Sequence, residues 1–210
     1  MEITWFGHSC FRIRGREVTI LADPYDRSLG NLGRVTADIV TISHEHPGHN
    51  HRQAVGGAPK FVEGPGEYEI AGVFLTGLRT YHDRARGKER GANTVYLIGL
   101  EDVVLCHLGD LGHVLSTAQV GELGSVEVLM VPVGGGSTIG AAEAAETVRL
   151  LEPKIVIPMH YRSERTPHLA PLEHFLKEIG VTEAAPQARL TVTRTSLPSE
   201  TQVVVLEPRV

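Results

Sequence analysis

The sequence predicts an α/β fold in which two β-sheets pack face to face and helices cover the outer faces. Three observations lead there. The first half consists of short apolar runs separated by turn residues, the signature of strands. The second half alternates strand-like and helix-like patterns. Residues able to hold a metal or carry a proton stand just past the ends of apolar runs, where sheet edges gather side chains with little freedom.

Strands are predicted at about 2–6, 10–14 and 17–22, the last running into Asp23-Pro24. Residues 38–42 form another and lead into a histidine cluster. A hairpin over 67–76 turns at Ala71-Gly72, and strands follow near 78–81, 93–99 and 102–107. The pattern then changes. Ser116-Thr117 can cap a short helix ending near Leu123, and 126–131 is an apolar strand. Thr138 can cap an Ala/Glu-rich helix over 140–151, which stops before Pro153. Residues 154–158 form a strand leading to His160, and a helix over 171–179 stops at Gly180. Strands near 189–194 and 202–207 close the chain.

With 210 residues and no linker or repeat, a single domain spanning 1–210 is expected. A hydrophobic share of 41% with 21% charged residues is ordinary for a globular protein, and a net charge of −5 gives no overall pull toward nucleic acid or an anionic membrane. Cys10 and Cys106 both lie in apolar runs and read as buried, reduced thiols. The residues Met1-Glu2-Ile3-Thr4-Trp5 lack the basic and apolar regions of a signal peptide, and no apolar run is long enough to span a bilayer, so a cytoplasmic location is expected.

The chemistry concentrates in Ser43-His44-Glu45-His46-Pro47-Gly48-His49-Asn50-His51, with four histidines inside eight residues. Alternate side chains of an extended segment share a face, so His44 and His46 can grip one cation while His49, in the loop, turns toward a second. Neutral imidazole is the commonest metal ligand in proteins. Three further candidates each follow an apolar run: His82, Asp110 and His160.

With these residues in view the chain resembles the metallo-β-lactamase fold superfamily over nearly its whole length. It is most similar to the small stand-alone metal-dependent hydrolases that include the ascorbate-6-phosphate lactonases. Gly7-His8-Ser9-Cys10-Phe11, His107-Leu108-Gly109-Asp110 and Ile157-Pro158-Met159-His160-Tyr161 carry that likeness. The resemblance implies a four-layer αββα sandwich. It implies that His44, His46 and His82 hold a first metal, that Asp110 bridges, and that His49 and His160 hold a second. Asp110, His49 and His160 would then be the catalytic group, with a hydroxide between the metals as nucleophile. The implied ions are one or two zinc, with manganese or iron as alternatives.

One position departs from the superfamily pattern His-x-His-x-Asp-His: Gly48 stands where the aspartate belongs. A weakened second metal position is therefore expected, with His51 close enough in sequence to swing in. Asp23 is expected to orient a ligand imidazole rather than touch metal. His8 is placed beside Asp23, outside the ligand set, or in the core. The segment 79–93 is locally basic and reads as a mobile loop gripping an anionic substrate, with Arg90 and Asn93 the favoured contacts. The Gly-rich turn 133–138 is expected to let backbone pass close to the metals.

Together these readings predict hydrolysis of a small, anionic ester, lactone or phosphodiester, with a small molecule as partner, no nucleic acid or membrane, and a homo-oligomer compatible with the sequence. A catalytically silent homologue of the same fold and a ribonuclease-type phosphodiesterase are the alternatives.

Overall fold

A computed structural model describes residues 1–209. The first part of the chain folds into β1 (Glu2–Gly7), β2 (Cys10–Arg14), β3 (Thr19–Ala22), β4 (Val35–Thr36), β5 (Ile39–Ile42), β6 (Val55–Gly56) and β7 (Lys60–Glu63). A meander follows: β8 (Gly66–Ile70), β9 (Val73–Tyr81), β10 (Ala92–Leu100) and β11 (Val103–His107). Alternation then sets in through α1 (Thr117–Leu123), β12 (Val128–Pro132), α2 (Ala141–Leu151), β13 (Ile155–Met159) and α3 (Leu172–Glu178). Two short strands, β14 (Leu190–Thr191) and β15 (Gln202–Val203), come last.

The first sheet has the order β14-β1-β2-β3-β5-β7 and the second β15-β13-β12-β11-β10-β9-β8, while β4 and β6 pair separately. In each sheet, tightly connected strands are antiparallel and crossover-connected ones parallel, as chain reversal requires. Helices α1 and α2 are the crossovers that lead from β11 to β12 and from β12 to β13. Strands β12 and β13 are buried along their whole length, which explains their unbroken apolar sequence.

Three apolar clusters hold the layers. Between the sheets, Phe11, Ile13 and Ile20 face Leu75, Ile98 and Leu105, all but fully buried, each worth about 1.5–3 kcal/mol of transfer free energy. Tyr96 is fully buried here, and its hydroxyl donates to the carbonyls of Ile42 (3.0 Å) and Val62 (3.1 Å), tying the second sheet to the end of β5. On the far side of the second sheet, Leu129, Val131 and Val156 pack against Ala144, Val148 and Phe175 of the helices. The outer face of the first sheet is covered by residues 24–37 and a 3₁₀ turn at Arg52–Ala54, with Tyr25 and Leu32 sealing Leu21 and Val40. The two cysteines are free and buried on opposite sides of the sandwich, Cys10 in that outer cluster and Cys106 under the helices.

Several local expectations change. The strand predicted at 78–81 is the end of β9, which runs unbroken from Val73 because Gly77 stays in the ladder opposite Gly66 and Tyr96. Strand β7 is missing from the sequence reading because only Val62 of its four residues is buried. The two closing strands shrink to two residues each and join different sheets, β14 beside β1 and β15 beside β13. Thr138 does not cap α2: its hydroxyl points back to the carbonyls of Gly135 and Ile139, and the Glu143 carboxylate accepts from the N-cap Gly140 N–H instead. Ser116 does cap α1, in a reciprocal box with Gln119. Among the described residues no helix is long and apolar enough to cross a membrane.

Candidate metal centre

The carboxyl ends of β5, β11 and β13, the β9–β10 connection and the β1–β2 turn converge at one edge of the sandwich. There the structure gathers two groups of side chains, His44, His46 and His82 in one and His8, His49, Asp110 and His160 in the other. The ligand atoms within each group lie within 4.8 Å of one another. Asp110 joins the groups. Its Oδ2 lies 3.2 Å from His49 Nε2, 3.2 Å from His82 Nε2 and 3.9 Å from His44 Nε2, and its Oδ1 lies 3.4 Å from His160 Nε2.

The surroundings turn these rings inward. Ser43 Oγ donates to Asp23 Oδ2 (2.6 Å) and so accepts from His44 Nδ1 (2.9 Å), leaving His44 Nε2 as the unprotonated nitrogen facing the centre and His46 Nδ1. His49 Nδ1 donates to the same carboxylate oxygen (2.8 Å), and His82 Nδ1 donates to the Ser137 carbonyl (3.0 Å). Each outer contact selects the tautomer whose Nε2 faces the centre, the usual support of a metal-binding imidazole. Asp23 also accepts the Ser43 N–H at 2.8 Å, so one fully buried carboxylate sets both the strand end and two of the rings.

Electrostatics point the same way. Burial, with His49 beside it, pushes the His44 imidazole down to about 3, and burial with His82 lowers His46. Burial disfavours charge on His49, yet Asp110 and Asp23 outweigh it and raise the ring to about 10. Burial would raise the Asp110 carboxyl, but His160 and His49 hold it well below the usual range. The centre is thus a carboxylate among imidazoles of which His49 carries a proton, and a bound cation would take that proton's place.

The residues fit a divalent ion. Asp110 Oδ1, His8 Nδ1 and His160 Nδ1 are buried without a hydrogen-bond partner, an arrangement that costs free energy unless something else engages the cluster. His44 Nε2 and His46 Nδ1 face each other at 2.9 Å. The 3.2–3.4 Å separations of the His49, His82 and His160 nitrogens from Asp110 oxygens match the edge, about 3.3 Å, of a tetrahedron with bonds of about 2.0–2.1 Å. The backbone is also held in uncommon conformations here: His8, Asp23 and His160 adopt left-handed φ of 51°, 46° and 52°. Gly134 passes so close to the His160 carbonyl that a side chain there would collide with it.

The six ligand candidates from the sequence are therefore brought together. Two other assignments are corrected. Asn93 does not reach the cleft. It is fully buried, its Oδ1 accepts the Asp110 N–H (2.9 Å), and its amide donates to Thr80 Oγ1 (2.8 Å) and the Leu108 carbonyl (3.0 Å), so it positions the Asp110 backbone. His51 does not swing in; it opens the 3₁₀ turn, its N–H bonds the Pro24 carbonyl, and it lines a separate cleft with Arg27 and Asn31. The His8 ring lies beside His49, Asp110 and His160, with a ring nitrogen within 4.8 Å of their ligand atoms. The loop read as mobile is organised by Asp83, which the sequence reading passed over: its carboxylate accepts the N–H groups of Gly87 (2.8 Å), Glu89 (3.1 Å) and Arg90 (2.8 Å).

A cleft of about 440 Å³ opens over His44 and His46. Arg79 and Arg90 line it, both exposed, together with Glu45 and Glu63. Arg52 pairs with both glutamates, which leaves the arginines as its unpaired charges. Arg90 also borders a second cleft of about 630 Å³ beside His82 and the turn preceding α2.

This fold and this constellation define a metallo-hydrolase-type centre, and comparison with known proteins agrees. The β-lactamase superfamily domain matches residues 2–160, and the chain belongs to that family. A UPF0173 metal-dependent hydrolase of Staphylothermus marinus is 29% identical, covering 98% of this chain and 96% of the relative. A UPF0173 protein of Pyrococcus furiosus is 33% identical over 85% of this chain and 90% of its own length. Among solved structures, a Thermotoga maritima protein assigned to the Zn-dependent hydrolases of the metallo-β-lactamase superfamily superposes with a TM-score of 0.84. It is 40% identical, with 98% of this chain and 97% of that one covered. The chain is thus grouped with metal-dependent hydrolases of the metallo-β-lactamase superfamily.

Proposed function

We propose that this protein hydrolyses a small anionic ester, lactone or phosphodiester at a centre that takes zinc. The observation that carries the substrate class is the pair of exposed arginines, Arg79 and Arg90, on the wall of a cleft that opens directly over His44 and His46. Planar guanidinium groups match carboxylate and phosphate geometry. The choice of zinc rests on the donor set, dominated by imidazole nitrogen, which suits zinc better than magnesium or manganese.

His44, His46 and His82 would hold one ion and His49 and His160 the other, with Asp110 between them. Bound divalent ions lower the pKa of water toward neutrality and polarise the oxygen under attack, so no side-chain base is needed to make a nucleophile. The chain's own residues do the rest. Arg79 and Arg90 draw the anionic end of the substrate into the cleft and orient its reacting group toward the histidines. Asp23 and Asn93 keep the imidazoles and Asp110 aimed at the centre. Arg52 offsets the charges of Glu45 and Glu63 on the cleft wall, which would otherwise repel the anion.

The test compares bis(4-nitrophenyl) phosphate, an anion, with neutral 4-nitrophenyl acetate, in zinc-loaded wild type and in Arg90→Gln and Arg79→Gln. The expected result is a KM for the anion raised about tenfold in each variant, the worth of one charge-assisted contact, with the neutral ester unaffected. Equal effects on both substrates would refute the anionic assignment. Metal binding with no hydrolysis of any ester, lactone or phosphodiester would favour the silent-homologue alternative.

A further inference from the structure

The side chain missing at Gly48 has a successor in this chain. A Cβ built on Gly48 would lie 3.3 Å from His8 Nε2 and 3.1 Å from Leu29 Cδ1, so the His8 ring occupies the space into which a side chain at position 48 would grow. That ring is 4.1 Å from the His160 ring and 5.0 Å from the His49 ring, centroid to centroid. A ring nitrogen of His8 lies within 4.8 Å of the ligand atoms of His49, Asp110 and His160. His8 Nδ1 is buried and has no hydrogen-bond partner.

The backbone is built to hold the ring there. Strand β1 carries an irregularity between Trp5 and Gly7, and Gly7 and His8 both take positive φ, 97° and 51°. The carbonyl of His8 accepts from Trp5 Nε1 (3.0 Å) and from the His160 N–H (3.1 Å), so the same peptide group fixes His8 and the ligand beside it. A non-glycine residue in the left-handed region, tied on both sides, is the kind of strain that persists where a side chain must be aimed.

We propose that His8 is a ligand of the second metal position, in place of the carboxylate that Gly48 lacks. The centre then consists of two three-histidine sets, His44/His46/His82 and His8/His49/His160, joined by Asp110. This deepens the metal-dependent reading and rests on it. Exchanging a carboxylate for an imidazole leaves one negative ligand instead of two, so a centre with two divalent ions carries one more positive charge. That charge favours anionic substrates, and the nitrogen-rich set discriminates for zinc or cobalt over manganese.

The test is metal content per chain after zinc saturation and gel filtration, with the visible absorption of the Co(II)-loaded protein as a readout independent of activity. Wild type, His8→Ala, Gly48→Asp and the double variant His8→Ala/Gly48→Asp are compared. Wild type is expected to hold two ions and His8→Ala one. Retention of that one ion shows that the fold and the first site survive. The double variant, where loss of the ring makes room for the carboxylate, is expected to return to two ions with an altered Co(II) spectrum. Gly48→Asp alone meets the His8 ring and is expected to gain no metal. A wild type that saturates at one ion, or a His8→Ala variant that keeps two with unchanged affinity, overturns the assignment of His8 alone. A wild type that takes up no metal overturns the metal-dependent reading as well.

Discussion

Asp23→Asn removes the charge on which the centre's outer support converges. The carboxylate accepts three hydrogen bonds, from Ser43 N at 2.8 Å, Ser43 Oγ at 2.6 Å and His49 Nδ1 at 2.8 Å, and is fully buried. An asparagine offers one oxygen and turns an N–H₂ group toward donors that need acceptors. Hydrogen bonds to charged groups contribute about 1.5–3 kcal/mol each, so losing or reversing two of them should cost about 3–6 kcal/mol of stability. Partners of metal-binding imidazoles carry about 10–100-fold in metal affinity, and a similar loss is expected here. The sign with pH follows from the carboxyl's environment. Burial would raise its pKa, but the bond to His49 and that ring's charge bring it below the ordinary value of 3.8. The stability that Asp23 contributes to the metal-free protein is therefore present above that value and fades as the pH falls through the depressed one. Urea unfolding of metal-free wild type and variant across pH 3–8, paired with zinc competition against a chromophoric chelator, measures both quantities. An unchanged midpoint near neutrality together with zinc affinity within twofold of wild type would refute the role given to Asp23.

Asn93→Ala leaves the Asp110 N–H, the Leu108 carbonyl and Thr80 Oγ1 without their buried partner. A loss of about 2–4 kcal/mol in unfolding free energy and weaker metal binding are expected, with the preference for anionic over neutral esters intact; a changed preference would return Asn93 to the substrate contacts. Arg52→Ala frees Glu45 and Glu63 in the cleft. Stability should fall by only about 0.2–1 kcal/mol because these pairs are solvent-screened, while KM for anionic substrates rises several-fold and that rise shrinks in high salt. Hydrogen bonds from Arg52 and then Asn50 hold the Glu45 carboxyl below 4.5, so its stabilising share is present above that value and is lost as the pH falls through the lowered one. Cys10 and Cys106 are buried, and burial raises both thiols, so neither should react with a thiol reagent at pH 8 until the protein unfolds. Fast labelling of the native protein would contradict that packing.

Much of the fold was legible because buried strands announce themselves. Residues 38–42, 126–131 and 154–158 are apolar runs too short for helices, and they correspond to β5, β12 and β13 at the heart of the two sheets. Strand β7 escaped because an edge strand with one buried residue carries no apolar pattern. Assigning β14 and β15 to opposite sheets needed pairing partners nearly 190 and 50 residues away, Ile3 and Ile155, which no local window contains.

The ligand candidates divide along the same line. The spacing of His44, His46 and His49, and the placement of His82, Asp110 and His160 past apolar runs, were visible because strand ends punctuate a sequence. Sequence alone therefore determined the family and the kind of side chain gathered at the centre, and nominated six residues there, since local periodicity and residue chemistry are written along the chain. Tertiary structure decided what each neighbour does. Asn93 sits in a basic stretch yet points into the core behind Asp110, and His51 belongs to the cluster in sequence but lines another cleft. His8 lies forty residues before Gly48 and fills its space. Such roles depend on which distant backbones the sheets bring within a few ångströms, and that is settled by packing between elements that no run of neighbouring residues can encode.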